Sequence, residues 1–143
     1  IAFLRAHGEC AWRAAGWAAG TGPTHAAVVP SGRGRAGPHP LRALVQPCLR
    51  LPWAELATGP GARSADRDLD PARFTARPLR GARVLLLDDT WTTGSSAQSA
   101  AMALRLTGAN SVAVVVLGRH LSRPAPPGTA PFSLASCAVH RDA

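Results

Sequence analysis

Residues 83–96 read RVLLLDDTWTTGSS, and this stretch decides the fold. Its first half is a run of apolar residues that ends at Asp88 and Asp89, a pattern typical of a central strand in a parallel sheet. Its second half carries hydroxyl side chains around Gly94, and from residue 95 onward apolar residues recur at helical spacing. The stretch therefore predicts a buried strand, a short polar loop and the start of a helix.

The flanking segments extend this pattern. Gly108 marks the end of a helix at residues 95–106, and residues 111–117 form the next apolar run, so a right-handed βαβ unit is predicted. Further elements are predicted as helices within residues 1–19 and at 41–46, and as strands at 26–30, within 49–56, at 74–76 and at 132–139. Together they predict an α/β fold with a mostly parallel central sheet flanked by helices, in a single domain over residues 1–143.

The composition is typical of one soluble domain. The chain has 143 residues, of which 46% are hydrophobic, and it contains no apolar run long enough to cross a bilayer. The start lacks a secretory signal pattern, and the three widely spaced cysteines do not form a disulfide framework pattern. We therefore expect a cytoplasmic protein with no membrane partner. Because the chain opens at Ile1 inside an apolar stretch, we also expect an N-terminal segment to precede it.

The charge favours anionic partners. The formal net charge is +8, and all 16 basic residues are arginine. Arginine presents a planar fork that can bind two phosphate oxygens at once, whereas lysine acts as a point charge. Nucleotides, pyrophosphorylated sugars and nucleic acids are therefore all candidate partners, and charge alone does not choose among them.

The loop at residues 92–96 has the chemistry of a phosphate site. Gly94 allows backbone N–H groups to approach an anion closely, and the start of the following helix favours negative charge. The hydroxyl groups of Thr92, Thr93, Ser95 and Ser96 supply further donors. We therefore predict that residues 92–96 bind a phosphate group.

Two adjacent carboxylates precede this loop. Asp88 and Asp89 are placed to accept hydrogen bonds from neighbouring hydroxyl groups of a sugar. The same carboxylates are also candidate ligands for Mg²⁺, which they would bind through water. The ion would neutralise a pyrophosphate on the anomeric carbon of the sugar. A ribose 5-phosphate would therefore fill both features.

Residues 83–96 resemble the signature of type I phosphoribosyltransferases, which bind 5-phosphoribosyl 1-pyrophosphate (PRPP). The shared features are an apolar strand, paired acids, two variable residues, and then Thr-Thr-Gly with a hydroxyl residue. Weaker similarity over residues 25–119 is greatest to the ComF-type, competence-associated branch. The resemblance implies that Asp88 and Asp89 contact the ribose hydroxyls, that residues 92–96 bind the 5′-phosphate, and that a phosphoribosyl group is transferred with Mg²⁺ and release of pyrophosphate.

Two departures from the family pattern leave the acceptor open. Purine-salvage members carry an aspartate that acts as a base where this chain has Thr92, so a 6-oxopurine acceptor is less expected. ComF-type proteins commonly show an Arg-Gly-Phe-Asn-Gln-like sequence where residues 35–41 here read RAGPHPL. The acceptor is therefore expected to be a nitrogenous base or amine of unspecified kind.

Two other loops match the family by their order along the chain. The loop after the first core strand holds pyrophosphate in the family, and here it offers Arg33 and Arg35. Residues 57–70, with Arg63 and Arg67, take the place of the flexible loop that closes over the substrate. An ordinary solvated loop explains the second pattern nearly as well.

Other interpretations stay open at this stage. A non-catalytic accessory protein of DNA uptake, or a PRPP-sensing regulator, would keep the fold and bind nucleic acid through its arginines, and a homodimer is possible in either case. Gly32, Gly34 and Gly37 match a dinucleotide-binding pattern with Glu55 downstream, but prolines stand where its helix should run. His39, between two prolines, is either a proton shuttle or plain loop surface.

The ends of the chain contain two half-sites with zinc-like spacing. His7 and Cys10 form the first, and Cys137 and His140 form the second. No sequence feature brings the two ends together, so buried thiols and surface imidazoles are the preferred interpretation.

Overall fold

The computed structural model describes residues 2–31, 37–59 and 68–120. In chain order its elements are α1 (Ala2–Ala14), β1 (His25–Val28), α2 (Pro40–Val45), β2 (Leu56–Thr58), a 3₁₀ turn (Pro71–Arg73), β3 (Phe74–Ala76), β4 (Arg83–Trp91), α3 (Ser95–Leu106) and β5 (Ser111–Arg119). The strand predicted at residues 132–139 lies outside the described residues.

The main sheet has the order β1-β4-β5, and both strand pairs are parallel. β4 is the central strand, with Val84 opposite His25 on one side and opposite Val112 on the other. The prediction of an α/β fold with a mostly parallel sheet is confirmed at this level. β4 runs on through Trp91, four residues beyond the predicted end at Leu87, because pairing with β5 continues past the two acids.

Consecutive residues of β4 face two different hydrophobic cores. Val84 and Leu86 pack in a cluster with the alanine-rich face of α3, while Leu85 and Leu87 pack with α2. None of these four side chains is more than 2% exposed. A strand buried on both faces explains the unbroken apolar run, because alternation appears only where one face meets water.

The segment at residues 49–56 differs from its prediction. It joins the parallel sheet only through an isolated bridge between Trp53 and Ala26. The Ala26 N–H donates to the Pro52 carbonyl and the Ala54 N–H donates to the Ala26 carbonyl, but Pro52 has no N–H with which to extend a ladder. The extended strand comes later, as β2, and belongs to a different sheet.

β2 and β3 form a two-stranded antiparallel hairpin, with Leu56 opposite Ala76 and Thr58 opposite Phe74. The predicted loop at residues 57–70 therefore begins inside a strand. Phe74–Ala76 is a strand as predicted. Gly59 at the end of β2 lies so close to the Ala72 carbonyl that a Cβ there would overlap the backbone.

The N-terminal segment folds as one helix, which packs against β5. The helix continues through Gly8. This glycine lies against the indole ring of Trp12, and a Cβ here would lie 3.4 Å from the indole nitrogen. Trp12 stacks on Trp17, with ring centroids 5.2 Å apart, and the Trp17 indole donates to the Ser111 hydroxyl. Within the described ranges, every helix is too short or too polar to cross a membrane.

Candidate functional site

The two acids lie at the carboxyl end of the central strand. Asp88 pairs with Val116 of β5 and is half-buried, whereas Asp89 is exposed. Successive side chains of a strand leave it in opposite directions, so the two carboxylates have different surroundings. An Asp88 Oδ1 atom accepts a hydrogen bond from the Asp89 backbone N–H at 2.9 Å.

The surroundings of Asp88 disfavour its charge. Burial raises the pKa of the Asp88 carboxyl above its ordinary value, and the neighbouring Asp89 carboxylate adds to the rise. The backbone N–H groups of Asp89 and Thr90 and the imidazole of His39 oppose the rise. A ligand that donates hydrogen bonds to Asp88, or brings a cation to it, would therefore relieve an existing cost.

The loop between β4 and α3 is shaped by one glycine. Gly94 has φ +81°, and a Cβ at this position would overlap the indole ring of Trp91. Only glycine tolerates both the left-handed backbone and this close approach. The Gly94 carbonyl accepts from the Gln98 N–H at 2.9 Å, which makes it the first acceptor of the helix.

Two hydroxyl groups of the loop are hydrogen-bonded to each other. Thr93 Oγ1 accepts from the Ser95 backbone N–H at 3.3 Å and donates to Ser95 Oγ at 3.2 Å. Thr92 and Thr93 are exposed, while Ser95 and Ser96 are half-buried at the start of α3. The first backbone N–H groups of a helix have no acceptor within the helix itself, so this loop has the donors that an anion requires.

A buried arginine next to this loop was missed by the sequence interpretation. Arg73 is 6% exposed, lies over the Phe74 ring at 5.7 Å, and donates to Ser96 Oγ at 3.4 Å. In the same region the Asp70 backbone N–H donates to the fully buried Ser99 hydroxyl at 2.9 Å. The segment that leads into β3 is thus tied to the first turns of α3.

A cavity of about 280 Å³ opens at the carboxyl end of β1. Its lining includes Pro30, His39, Arg42, Trp53 and Glu55. Arg42 forms an ion pair with Glu55 at 2.8 Å and lies 5.0 Å from the centroid of the Trp53 ring. Glu55, the acid downstream in the dinucleotide-binding pattern, is therefore already paired, and the short helix that follows the glycines begins only at Pro40.

Part of the predicted site falls outside the described residues, namely Arg33, Arg35, Arg63 and Arg67, together with Gly32 and Gly34. Asp88, Asp89 and residues 92–96 lie at the carboxyl end of β4 and the start of α3. The pyrophosphate-binding role of Arg33 and Arg35 stays a prediction.

Metal ligands are sparse in this region. Among residues 2–31, 37–59 and 68–120, no group of three or more His, Cys, Asp or Glu side chains is close enough to hold a metal ion. Asp88 and Asp89 could supply two carboxylates to a Mg²⁺ ion, which usually keeps several waters and takes other ligands from substrate phosphates. Cys137 and His140 of the zinc-like pattern are not among the described residues.

Comparison with other proteins adds no assignment: no protein-family model, curated protein or solved structure matches the chain.

Proposed function

We propose that this chain binds PRPP, or a close ribose phosphate relative, at the carboxyl ends of β1 and β4. The observation that carries the proposal is the continuous arrangement of Asp88 and Asp89 at the end of β4, the Gly94 turn and the start of α3. Open α/β sheets bind ligands at the carboxyl ends of their strands. The arrangement offers acceptors for sugar hydroxyls next to donors for a phosphate.

In this proposal the 5′-phosphate binds the loop at residues 92–96. The backbone turn at Gly94 and the Thr93–Ser95 hydrogen bonds hold the loop in place without a ligand, so little ordering entropy is lost on binding. Arg73 lies behind Ser96 and adds positive charge beneath the phosphate.

The ribose lies over the end of β4, where its hydroxyl groups donate to Asp88 and Asp89. Asp88 benefits most, because hydrogen bonds to its ionised form offset the cost of burial. Mg²⁺ bound through these carboxylates and the diphosphate oxygens would neutralise the leaving group. Arg33 and Arg35 are proposed to bind the same diphosphate.

The proposed reaction is phosphoribosyl transfer. A nitrogen nucleophile attacks the anomeric carbon as the bond to the pyrophosphate oxygen breaks, and the electron pair leaves with pyrophosphate. Thr92 is exposed and has no basic group, so the acceptor must arrive with a nucleophilic lone pair or lose its proton to solvent. A nitrogenous base or amine meets this requirement.

Calorimetric titration with PRPP, with and without Mg²⁺, tests the proposal. The double variant Asp88→Asn with Asp89→Asn should lose PRPP binding while its circular dichroism spectrum stays native. Both substitutions make the chain more positive, so nonspecific attraction of an anion would increase. Glu9→Gln, an exposed acid on α1, is the control and should bind normally. Wild-type affinity in the double variant would overturn the proposal.

The net charge of +8 supports a second candidate, a non-catalytic accessory protein or regulator that binds nucleic acid. Such a protein would bind DNA with an affinity that falls steeply as salt is raised. It would also release no pyrophosphate from PRPP with any base in a panel. Pyrophosphate release with one base would exclude the non-catalytic alternative.

A further inference from the structure

Three exposed arginines lie at the amino end of the main sheet, away from the loop at residues 92–96. Arg77 and Arg80 precede β4, and Arg105 lies in the last turn of α3. Because β4 and β5 are parallel, α3 runs back from the carboxyl end of β4 to the amino end of β5. The last turn of α3 therefore lies beside the segment that leads into β4.

Backbone contacts hold these two segments together. The Gly81 N–H donates to the Gly108 carbonyl at 2.9 Å, and the Gly108 N–H donates to the Arg105 carbonyl at 3.0 Å. A Cβ built on Gly108 would lie 3.7 Å from the Arg80 Cα atom, which is ordinary van der Waals contact. Arg80 and Arg105 therefore flank the same turn, and Arg77 precedes it by one short stretch of chain.

The charge of these arginines is not balanced by acids in the segments around them. Residues 71–87 and 90–141 contain no aspartate or glutamate. The segment at residues 17–25, which reaches the same end of the sheet through the hydrogen bond from Trp17 to Ser111, contains none either. Within the described ranges, none of the three guanidinium groups takes part in an ion pair. This end of the sheet therefore attracts anionic groups.

Exposed apolar side chains lie next to the arginines. Leu106 follows Arg105 directly and is 74% exposed, and Met102, one helical turn earlier, is 42% exposed. Residues four apart on a helix are neighbours on its surface, so the two side chains form one apolar stripe that ends beside the arginines. Methionine and arginine are both enriched in protein–protein interfaces, where buried apolar anchors supply much of the binding energy.

We propose that a docking surface for an acidic segment of a partner protein is formed by Arg77, Arg80, Met102, Arg105 and Leu106. Charge complementarity selects carboxylates in the partner, and the apolar stripe selects aliphatic side chains beside them. A nucleic acid matches the surface less well, because its phosphates would pair with the arginines and leave the stripe in water. Three arginines also fall short of the about six to ten phosphate contacts that give a DNA-binding protein its steep salt dependence.

The docking surface does not depend on the proposed function. The loop at residues 92–96 leads into the first turn of α3, whereas the arginines lie at its last turn. This helix has 12 residues and is therefore about 18 Å long. A partner on the docking surface would leave the proposed ribose phosphate site open. Substitutions on the docking surface should therefore leave PRPP binding unchanged, so that the failure of either proposal can be recognised by itself.

Fluorescence anisotropy with labelled synthetic probes tests the proposal. Two peptides of equal length carry the same number of glutamates. One of them has leucines at helical spacing, and the other has glutamine in place of each leucine. A single-stranded DNA of mixed sequence, with the same number of negative charges, is the third probe. The comparison separates an acidic and apolar partner from a purely acidic one and from a nucleic acid.

Three variants isolate the parts of the surface. The patch variant replaces the three arginines of the docking surface with glutamine, and Leu106→Gln removes the apolar contact alone. The control variant loses as much net charge as the patch variant, at exposed positions outside the surface, through Arg5→Gln, Arg13→Gln and Arg50→Gln. All of these positions are exposed, so thermal unfolding should show that each variant stays folded.

The wild type should bind the leucine peptide more tightly than the glutamine peptide or the DNA. The affinity for the leucine peptide should fall at least about 10-fold in the patch variant, as expected for the loss of three exposed ion pairs. It should fall about 5-fold in Leu106→Gln, where a partly buried leucine is lost from the interface. In the control variant it should change less than about 2-fold.

Each other outcome overturns the proposal. Failure of the wild type to bind the leucine peptide would remove its basis. Equal weakening in the control variant would assign the binding to net charge, and unchanged affinity in Leu106→Gln would show that the apolar stripe is not used. Tighter binding of the DNA that is lost in the patch variant would make this a nucleic-acid surface. Should the patch variant not fold, a loss in Leu106→Gln without one in the control supports the proposal, and any other result overturns it.

Discussion

Asp88 is the residue at which binding and stability oppose each other. Its carboxylate is half-buried at the end of β4, and the protein bears the cost of that burial unless a ligand offsets it. Functional sites commonly retain such costs because the same group is needed by a ligand. Loss of the charge should therefore stabilise the protein, although under the proposed function it removes a ligand-binding group.

The pH dependence of stability tests this trade-off. The folded-state pKa of Asp88 is raised, so its protonated carboxyl favours the folded state below the ordinary aspartate range. This contribution to the free energy of unfolding is lost as pH rises through the raised pKa. Asp88→Asn should have a higher free energy of unfolding than the wild type at neutral pH, and the difference should shrink in acid. Urea denaturation without divalent metal measures it. Asp89→Asn, at an exposed position, should change little, and an equal gain there would contradict the prediction.

Gly94 is the residue on which the shape of the proposed phosphate loop, residues 92–96, depends. Gly94→Ala should destabilise the protein by about 1–3 kcal/mol, because it adds a left-handed backbone cost and a clash with the Trp91 ring. Gly81→Ala is a matched control, since Gly81 has φ +69° but no atom near its Cβ position. Chemical denaturation should show a larger loss for Gly94→Ala. Equal losses would mean that the contact with Trp91 is unimportant.

At the scale of elements, α3 supports both the loop at residues 92–96 and the segment that leads into β3. Ser99→Ala removes the acceptor of the Asp70 N–H and should cost about 1 kcal/mol of unfolding free energy. Faster hydrogen exchange at residue 70, measured by NMR, should accompany it. Gln98→Ala, exposed on the same helix, is the control. Unchanged exchange in Ser99→Ala would show that the hairpin is held by other contacts.

The elements predicted correctly from sequence are those with local signals. β4, α3 and β5 each have a strong hydrophobic pattern. Gly108, with φ +99°, follows the end of α3 as expected. The strand predicted within residues 49–56 is reduced to the Trp53 bridge, and β2 was not predicted. Their pairing depends on Ala26 and Ala76, which are distant in sequence. Strand partners set by tertiary contacts leave little trace in a local pattern.

The same distinction applies to the candidate site at the scale of the whole molecule. The acids and the phosphate loop are contiguous in sequence, so their clustering could be predicted from one strand and one helix. Arg73 reaches this loop only through the tertiary contact between the segment leading into β3 and the start of α3. It does not belong to the motif, so the local pattern gives no indication of it.

Binding of PRPP should stabilise the entire chain. A ligand that binds only the folded state at 100 times its dissociation constant raises the unfolding free energy by about 2.7 kcal/mol. We expect the thermal unfolding midpoint to rise with PRPP and Mg²⁺ together and to rise less with PRPP alone. NAD at the same concentration should have no effect. Protection by NAD without protection by PRPP would favour the dinucleotide-binding interpretation.

The alternating burial of β4 makes the loop at residues 92–96 and the cavity at the end of β1 separately adjustable. The loop begins the helix that packs on Val84 and Leu86, whereas His39, which lines the cavity, precedes the helix that packs on Leu85 and Leu87. A change of side-chain volume beneath one helix can shift the feature next to that helix while the other keeps its position. Ordinary core substitutions beneath α2 can therefore reshape the cavity and leave the loop unchanged.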